Sequence, residues 1–315
     1  MPETPDIKAQ PEHVPVLREQ ALEALRIDPA GTYVDCTFGR GGHSEAILAA
    51  LNANGRLVAL DRDPAAVTAA AKFATDPRFA IHQRPFSELE ALAVEAGIDG
   101  SVAGVLFDLG VSSPQLDDAA RGFSFQADGP LDMRMDPTRG ISVGDWLASA
   151  SERDIADCLF HYGDERYARR IARGIVRYRS EQPLTSTAEL VGIIGRAMPR
   201  KPRDIHFATR SFQALRIRIN DELEELRAGL EQALAVLEPL GRLVVITFHS
   251  IEDRIVKRFM REAATGDLPP DLPIPDAEIT RRLRVIGRPV RAAADEIAAN
   301  PRARSATLRI AEKTV

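Results

Sequence analysis

The sequence is poor in cysteine, in aromatic side chains and in long apolar runs, and each shortage excludes a class of protein. Its two cysteines, Cys36 and Cys158, lie far apart and outside any Cys-x-x-Cys motif. This pattern excludes a disulfide scaffold and a cysteine zinc site, and it favours a reducing compartment. The six histidines are scattered without His-x-x-x-His spacing, so no metal site is predicted.

The sequence also lacks any stretch that approaches the about 18 uninterrupted apolar residues of a membrane-spanning helix. The segment Met1–His13 is polar and rich in proline, without the basic and then apolar pattern of a secretion signal. We therefore expect a cytoplasmic protein without a membrane partner. Aromatic residues amount to 5%, with one tryptophan, so the core must consist mainly of Leu, Ile, Val and Ala.

What is present is the composition of a globular protein. The 315 residues are 44% hydrophobic and 28% charged, proportions that can bury a core. At roughly 100 to 200 residues per domain, this length predicts about two domains. Disorder, collagen and coiled coil are excluded for the chain as a whole.

Short apolar runs alternate with helical patterns from about residue 30 onward, which predicts an α/β fold with a parallel sheet. The runs are nearly continuous in apolar character, as expected for strands that helices cover on both faces. Strands are predicted at Thr32–Cys36, Arg56–Leu60, Phe79–His82, Val102–Phe107 and Arg242–Phe248. Helices are predicted from Ser44 to Leu51 and from Pro64 onward.

The fourth and fifth predicted strands are separated by far more than the about a dozen residues that a parallel crossover needs. The intervening segment is rich in helix formers and carries no convincing strand. We therefore predict an inserted helical subdomain at residues 137–206, between the two parts of the sheet domain, residues 1–136 and 207–315. Leucines at three- and four-residue spacing then indicate a helix packed on the sheet: Leu223, Leu226, Leu230, Leu234 and Leu237.

Positive charge is concentrated in the predicted insertion, although the formal net charge of the chain is −5. From Arg166 to Arg203 there are ten basic residues and two acidic ones. Such an excess of one sign predicts an anionic polymer as partner, with a solvated helix face as the alternative. A second basic run, which could extend the same track, contains Arg281, Arg282, Arg284, Arg288 and Arg291.

A glycine-rich turn, Val34–Ser44, connects the first predicted strand to a helix. Glycines let backbone N–H groups approach a ligand, and Asp61 at the end of the second strand is placed to bind ribose hydroxyls. The dinucleotide fingerprint would have Gly or Ala where Ser44 stands, and no phosphate-binding P-loop follows. The turn therefore favours S-adenosylmethionine, and a plain tight turn is the alternative.

A second polar segment, Asp108–Gln115, follows the fourth predicted strand. Open α/β sheets bind ligands at the carboxyl ends of their strands, so Asp108 could accept a hydrogen bond from an exocyclic amine. Its alternative role is to cap the turn that follows.

Seven strings of the sequence resemble one family, that of the bacterial 16S rRNA cytosine-N4 methyltransferases, called RsmH or MraW. The resemblance runs from His13 to about Lys313, and the strings are long enough to be highly specific. They are Asp35–Ser44, Asp61–Pro64, Asp108–Asp118, Arg121–Phe125, Asp128–Asp136, Thr247–Arg254 and Asn300–Ser305.

The resemblance implies a class I S-adenosylmethionine methyltransferase: a Rossmann-like, mostly parallel sheet with an inserted helical subdomain that recognises RNA. It implies that the substrate is one cytidine near the P site of 16S rRNA in the 30S subunit. Positions that match the family's cofactor site are Gly41, Gly42, His43, Asp61 for ribose, Phe86 for adenine, Asp108 and Gln115. One departure is Cys36, where relatives often carry Gly or Ala.

Methyl transfer to cytosine N4 requires an acceptor that draws the amine lone pair out of the ring, and Asp108 is the predicted catalytic residue. A flipped cytosine also needs aromatic surfaces, for which Phe123, Phe125 and Trp146 are candidates, although the core is the more common place for each of them. Predicted RNA contacts are Arg169, Arg170 and Arg173. The segment Ser250–Asp253 after His249 fits a helix-start box or a catalytic role.

Two other functions are compatible with parts of the pattern. A nicotinamide oxidoreductase would explain the glycine turn and Asp61, but neither Ser44 nor the basic segment. A non-catalytic ribosome-assembly factor would explain the basic segment alone. Both a monomer and a homodimer are compatible with the sequence.

Overall fold

The computed structural model describes residues 15–200, 202, 205–266 and 280–315, which form one seven-stranded sheet with helices on both faces. The strands are β1 (Thr32–Asp35), β2 (Arg56–Asp61), β3 (Phe79–Gln83), β4 (Val102–Asp108), β5 (Leu237–Thr247), β6 (Leu283–Arg291) and β7 (Thr307–Lys313). Their order is β3-β2-β1-β4-β5-β7-β6. Strands β1 to β5 are parallel, whereas β7 is antiparallel to both of its neighbours.

The predicted Rossmann-like, mostly parallel sheet is confirmed, and the first four predicted strands agree with the structure within two residues. The fifth begins earlier than predicted, because Leu237 opens β5 and does not continue the leucine stripe of the preceding helix. Strands β6 and β7 were not predicted. In β6 most side chains are exposed, so this edge strand lacks the apolar run that marks a buried strand.

The helices of the sheet domain are α1 (Arg18–Leu25), α2 (Gly42–Ala50), α3 (Pro64–Ala69), α4 (Leu89–Ala96), α5 (Ser113–Asp117), α11 (Glu222–Val236), α12 (Ser250–Thr265) and α13 (Ala294–Ala299). One apolar core lies between the sheet and α4, α11 and α12. A second core, on the opposite face, includes side chains of α1 and α2. Neighbouring residues of β4 and β5 face opposite cores. Val105 and Val245 face the first core, and Leu106 and Val244 face the second.

The predicted helical insertion between β4 and β5 is confirmed. It contains α6 (Val143–Ser149), α7 (Glu152–Gly163), α8 (Ala168–Glu181), α9 (Thr187–Ala197) and α10 (Thr209–Asn220). These helices share a core of their own, which extends from Phe123 to Leu215 and so reaches beyond residues 137 and 206 on both sides. The two boundaries stay predictions. No helix in the described ranges is long and apolar enough to cross a membrane.

One loop ties the insertion to the sheet through a buried asparagine at the end of α10. Asn220 donates its side-chain amide to the carbonyl of Met133 and accepts the backbone N–H of Met135, each at 2.7 Å. Its own carbonyl accepts from Arg62, directly after β2, also at 2.7 Å. Met133 is fully buried with a positive φ of 60°, so this loop is held in a conformation that is rare for a residue with a side chain.

Candidate active site

Three aspartates, Asp35, Asp61 and Asp108, end the neighbouring strands β1, β2 and β4. These strands are parallel and adjacent, so their carboxyl ends meet at one edge of the sheet. Ligands of open α/β sheets bind at this edge. The sequence-predicted cofactor residues of the glycine turn, Asp61 and Asp108 therefore lie together.

The glycine turn needs glycine for two separate reasons. Gly41 caps α2 with a φ of 78°, and a β-carbon there would lie 2.6 Å from the Phe38 ring. Asp35 closes the turn by accepting the Thr37 N–H at 3.1 Å and the Ser44 hydroxyl at 2.7 Å. Burial raises the pKa of Asp35, and these hydrogen bonds oppose that shift.

Asp61 is held by backbone N–H groups from two loops. It accepts from Gly39 at 2.8 Å and from Asp63 at 2.9 Å, one at each carboxylate oxygen. Burial nevertheless raises its pKa to about 6, because desolvation of the carboxylate outweighs the two hydrogen bonds. Each oxygen keeps a second lone pair for hydroxyl groups of a ligand.

Asp108 faces His43 at the start of α2, with 3.5 Å between Asp108 Oδ2 and His43 Nε2. The backbone N–H of Asp108 is bound to the Thr37 hydroxyl at 2.6 Å. Burial disfavours the charged form of His43, but the carboxylates of Asp108 and Asp35 outweigh this effect and raise its pKa. Asp108 Oδ1 and His43 Nε2 are both buried without a hydrogen-bond partner, which is unusual for polar atoms inside a protein.

Gln115 is buried, and both ends of its side-chain amide are bound to the protein. Its Oε1 accepts the Ser112 N–H at 2.9 Å, which closes a capping box on α5, and its Nε2 donates to Asp63 at 2.7 Å. Asp63 also accepts from Arg121, which donates to the carbonyls of Arg134 and Met135. Gln115 thus braces the strand ends, and its contact with a cofactor stays a prediction.

Phe86 lies in a short 3-10 helix after β3, half-buried against the sheet core. Its ring meets Phe107 edge to face at 5.4 Å between centroids, and a β-carbon on Gly229 of α11 would lie 2.5 Å from it. Glycine at position 229 is what lets α11 cover this ring. Contact of Phe86 with an adenine stays a prediction.

The three candidate aromatic residues for the substrate lie in different surroundings. Phe123 is 5% exposed and Trp146 is 8% exposed, and both belong to the core of the helical insertion. Phe125 is half-buried and stacks on His206 with 4.4 Å between ring centroids. The structure thus favours the core role for Phe123 and Trp146.

The predicted RNA-binding arginines line the outer face of α8. Arg169, Arg170 and Arg173 are exposed, while Ile171 and Ile175 of the same helix are buried in the insertion core. The second basic run reaches the edge strand β6. There Arg282 pairs with Glu231 at 2.8 Å, and Arg284 contacts the buried Glu312. Their contacts with RNA stay predictions.

A buried charged group lies after β5, where no sequence pattern indicated one. The helix-start box of α12 consists of His249 and Glu252, so the prediction of Ser250–Asp253 as the box was wrong by one residue. Asp253 instead binds Arg309 of β7 through two hydrogen bonds of 2.7 and 2.9 Å. Histidine is not among the preferred N-cap residues, so this cap has no recognisable signature in the sequence.

Glu252 is 3% exposed, and its pKa is lowered in spite of its burial. Desolvation acts to raise its pKa, but His249, with Nε2 at 2.9 Å from Oε1, and Arg216 at 4.0 Å lower the pKa overall. Arg216 is held in turn by Glu222 through two hydrogen bonds of 2.7 and 2.8 Å. This group joins the start of α12 to the end of α10.

No group of three or more His, Cys, Asp and Glu side chains within the described parts of the chain is arranged to hold a metal ion. The groups that the described strand ends bring together are carboxylates, one imidazole and backbone N–H groups. Such an arrangement can bind hydroxyl and amine groups and orient them.

Comparison with known proteins gives matches over nearly the whole chain. A family model described as the MraW methylase family matches residues 10–314. A ribosomal RNA small subunit methyltransferase H from Chromohalobacter salexigens is 55% identical over 310 residues, which cover 98% of this chain and 93% of that protein. The protein of the same name from Nitrosococcus oceani is 57% identical over 304 residues, 96% of each chain.

Among solved structures, an rRNA methylase from Streptococcus thermophilus superposes with a TM-score of 0.40 at 11% identity, covering 98% of this chain and 99% of that chain. The family model matches nearly the whole chain, and the two relatives are more than 50% identical to it, so the two comparisons agree. Together they show that the chain belongs to the MraW methylase family.

Proposed function

We propose that the protein transfers the methyl group of S-adenosylmethionine to the N4 amine of one cytidine of 16S rRNA, near the P site of the 30S subunit. Membership of a methylase family and relatives named as small-subunit rRNA methyltransferases support this proposal. The observation that carries it is the buried, unpartnered Asp108 Oδ1 at the end of β4. A hydrogen-bond acceptor in that position suits an exocyclic amine.

The strand ends fit S-adenosylmethionine, which supplies an electrophilic methyl group on a sulfonium. Asp61 would bind the ribose hydroxyls, since each of its oxygens has one lone pair left. Gly41 caps the N-terminus of α2, which favours electronegative groups of a ligand there. The bulk of Ser44, bonded to Asp35, does not suit the dinucleotide alternative.

Asp108 would act on the nucleophile. The N4 lone pair of cytosine is delocalised into the ring, and an acceptor that binds an N–H of the amine favours a pyramidal nitrogen with an available lone pair. The contact with His43 and the Thr37 hydroxyl fix the orientation of Asp108 before the substrate arrives. Such positioning lowers the barrier because less reorganisation is needed during the reaction.

The exposed arginines of α8 would bind the RNA backbone. Arg169, Arg170 and Arg173 point into solvent from a helix whose other face is fixed in the insertion core. Phosphate contacts of this kind position a nucleic acid without reading its sequence. The helical insertion would thereby present the rRNA to the strand ends.

The test supplies the purified protein with S-adenosylmethionine labelled in its methyl group and with 30S subunits that lack the modification. Nucleosides from the rRNA are then identified by mass spectrometry. Labelled N4-methylcytidine at a single position is expected. Cofactor binding without any labelled nucleoside would contradict the substrate and would favour a non-catalytic assembly role.

Substitution of Asp108 tests its assigned role directly. Asp108→Ala is expected to lower the methylation rate by roughly 100-fold or more, the scale on which one preorganised polar group acts. Its thermal midpoint should change far less than its rate, because Oδ1 has no partner to lose and the Oδ2–His43 Nε2 distance of 3.5 Å is long for a hydrogen bond. Asp157→Ala on the exposed face of α7 is the matched control and should keep the full rate. A normal rate in Asp108→Ala would remove this residue from the mechanism.

A further inference from the structure

We propose that Phe248 is the aromatic surface on which the methyl-acceptor base stacks, and that Glu252 is the positioning residue that holds Phe248 in place. This inference rests on the proposed function, because it names a binding surface for the same substrate. It concerns a residue that lies just beyond β5, outside the set predicted to contact the substrate.

The strand register places Phe248 beside the proposed catalytic carboxylate. Asp108 is paired with Ile246 in the parallel β4–β5 ladder, and the Leu109 N–H binds the Ile246 carbonyl at 3.0 Å. Side chains two residues apart along a strand share a face. Phe248 packs with Ile246 in the core that also contains Leu106, two residues before Asp108. Asp108 and Phe248 therefore lie at the same edge and on the same face of the sheet.

The segment after Asp108 passes beside the ring of Phe248 with a residue that has no side chain. Gly110 has a φ of 106°, and a β-carbon there would lie 3.5 Å from Phe248 Cδ2. Any longer side chain at position 110 would therefore extend along the ring. Phe248 itself is only half-buried, and residue 110 places no side chain over its ring.

A buried carboxylate fixes the backbone from which this ring projects. Glu252 Oε2 accepts the N–H of Phe248 at 3.0 Å and that of His249 at 3.3 Å. His249 Nε2 and Arg216 contact the other oxygen. A charge buried at this depth is costly unless it is paired, so the arrangement is a rigid one that the folded chain maintains.

The three candidate rings predicted from the sequence are occupied within the helical insertion. Phe123 and Trp146 are enclosed in its core. Phe125 is half-buried, but its ring already stacks on His206 and meets Phe212 edge to face. A cytosine that leaves its helical stack loses its neighbouring bases, and an aromatic side chain can replace one of them. Phe248 is the ring that strand pairing brings to the end of β4.

The experiment compares Phe248→Leu with Phe248→Tyr. Leucine keeps a branched apolar side chain of somewhat smaller volume without an aromatic face, whereas tyrosine keeps the face. We expect Phe248→Leu to lower kcat/KM for 30S subunits by about 10- to 100-fold, the scale of base–aromatic stacking. We expect kcat/KM of Phe248→Tyr for 30S subunits to stay within about threefold of the wild-type value, because the stacking face is kept. Affinity for S-adenosylhomocysteine, measured by calorimetry, should be unchanged in both.

Phe160→Leu is the matched control, because Phe160 is 58% exposed on α7 of the insertion. It should leave kcat/KM unchanged. Wild-type kinetics in Phe248→Leu would overturn the inference, and so would a loss of cofactor affinity in that variant. Circular dichroism establishes that each variant is folded.

A second measurement is independent of turnover and separates this inference from the proposed function. Ligand-observed NMR follows the cytosine ring protons of cytidine monophosphate with the protein and S-adenosylhomocysteine. Upfield ring-current shifts are expected with wild type and Phe248→Tyr but not with Phe248→Leu. Ring-current shifts without methylation of any cytidine would contradict the proposed reaction but not the stacking on Phe248. Equal shifts in all three proteins would overturn the stacking.

The positioning role of Glu252 has its own pair of variants. Glu252→Gln keeps an oxygen for the Phe248 N–H, so it should retain the ring-current shifts. Glu252→Ala removes that oxygen and should raise KM for 30S subunits in parallel with a loss of the shifts, at unchanged cofactor affinity. Full shifts in folded Glu252→Ala would show that Phe248 needs no such support.

Discussion

The three aspartates at the strand ends show how surroundings give one type of side chain three different properties. Asp35 is enclosed and bonded to Thr37 and Ser44, so it serves to close the glycine turn. Asp61 receives two backbone N–H groups and still has a pKa raised to about 6. Asp108 keeps one buried oxygen without a partner. These differences support the roles proposed for the three residues: Asp35 supports the loop, Asp61 binds ribose and Asp108 binds the amine.

The raised pKa of Asp61 predicts a pH dependence of cofactor binding. Ribose hydroxyls donate to the carboxylate, and protonation removes an acceptor. Because the pKa is about 6, the binding form is nearly complete above pH 7 and is lost as the pH falls through 6. The affinity for S-adenosylhomocysteine should thus fall toward about tenfold per pH unit below 6, as one bound proton requires. Calorimetry between pH 5 and pH 8 measures it.

Asp61→Asn is the control for this prediction, because it cannot titrate and leaves His43 in place. The affinity of this variant for S-adenosylhomocysteine should be weak and nearly constant between pH 5 and pH 8. His43 and Asp35 also have raised pKa values and lie at this edge, so they are the other groups that could respond to pH. A pH profile that persists in Asp61→Asn would assign the effect to His43 or to another group.

At the scale of elements, α8 combines an apolar inner face with a basic outer face. Ala168, Ile171, Ala172 and Ile175 are buried, which fixes the helix in the insertion core. Arg169, Arg170 and Arg173 are thereby held outward in a fixed spacing. Because the helix already fixes the backbone positions of these arginines, only their side chains lose freedom when they bind a phosphate backbone.

Combined replacement of Arg169, Arg170 and Arg173 by Gln should reduce the salt dependence of 30S binding. The slope of log K against log salt flattens by about 0.7 to 0.9 for each phosphate that the variant no longer neutralises. Filter binding at several salt concentrations measures the slope. The matched control replaces the exposed Arg254, Lys257 and Arg261 of α12 by Gln. A slope equal to that of wild type in the α8 variant would make the α8 face a solvated surface.

The elements also show what local sequence could reveal. Strands β1 to β4 and the glycine turn were predictable because apolar runs, glycines and terminal aspartates are local patterns. The buried pairing of Arg216 with Glu252 was not predictable, since it joins two helices that are separated in sequence by α11 and β5. Strand β6 was not predicted, because charged and turn-forming residues, such as Arg288 and Gly287, interrupt its apolar pattern.

At the scale of the whole molecule, Asn220 connects the sheet to the helical insertion. Its side chain binds the loop around Met133 and Met135, and its carbonyl binds Arg62 beside the proposed cofactor site. One residue thus links the end of β2, the loop after β4 and the last helix of the insertion. The relative position of the two proposed ligands depends on this link.

Asn220→Ala is expected to lower the free energy of unfolding by about 2 kcal/mol or more. The buried carbonyl of Met133 and the N–H of Met135 would lose their partners, and each such group costs about 1 to 3 kcal/mol. Urea denaturation monitored by circular dichroism measures the change. Asn54→Ala, in an exposed turn, is the control and should be nearly neutral. An equally small effect of both variants would show that the loop holds its conformation without Asn220.

The placement of β7 has a consequence for synthesis of the protein. This strand, formed by residues 307–313, lies between β5 and β6 and pairs with both. During translation β5 must therefore keep one open edge until residues 307–313 have emerged, although β1 to β4 were made long before. An open edge is a template for pairing with other chains. The nascent chain thus passes through an aggregation-prone stage that ends only when its last strand is inserted.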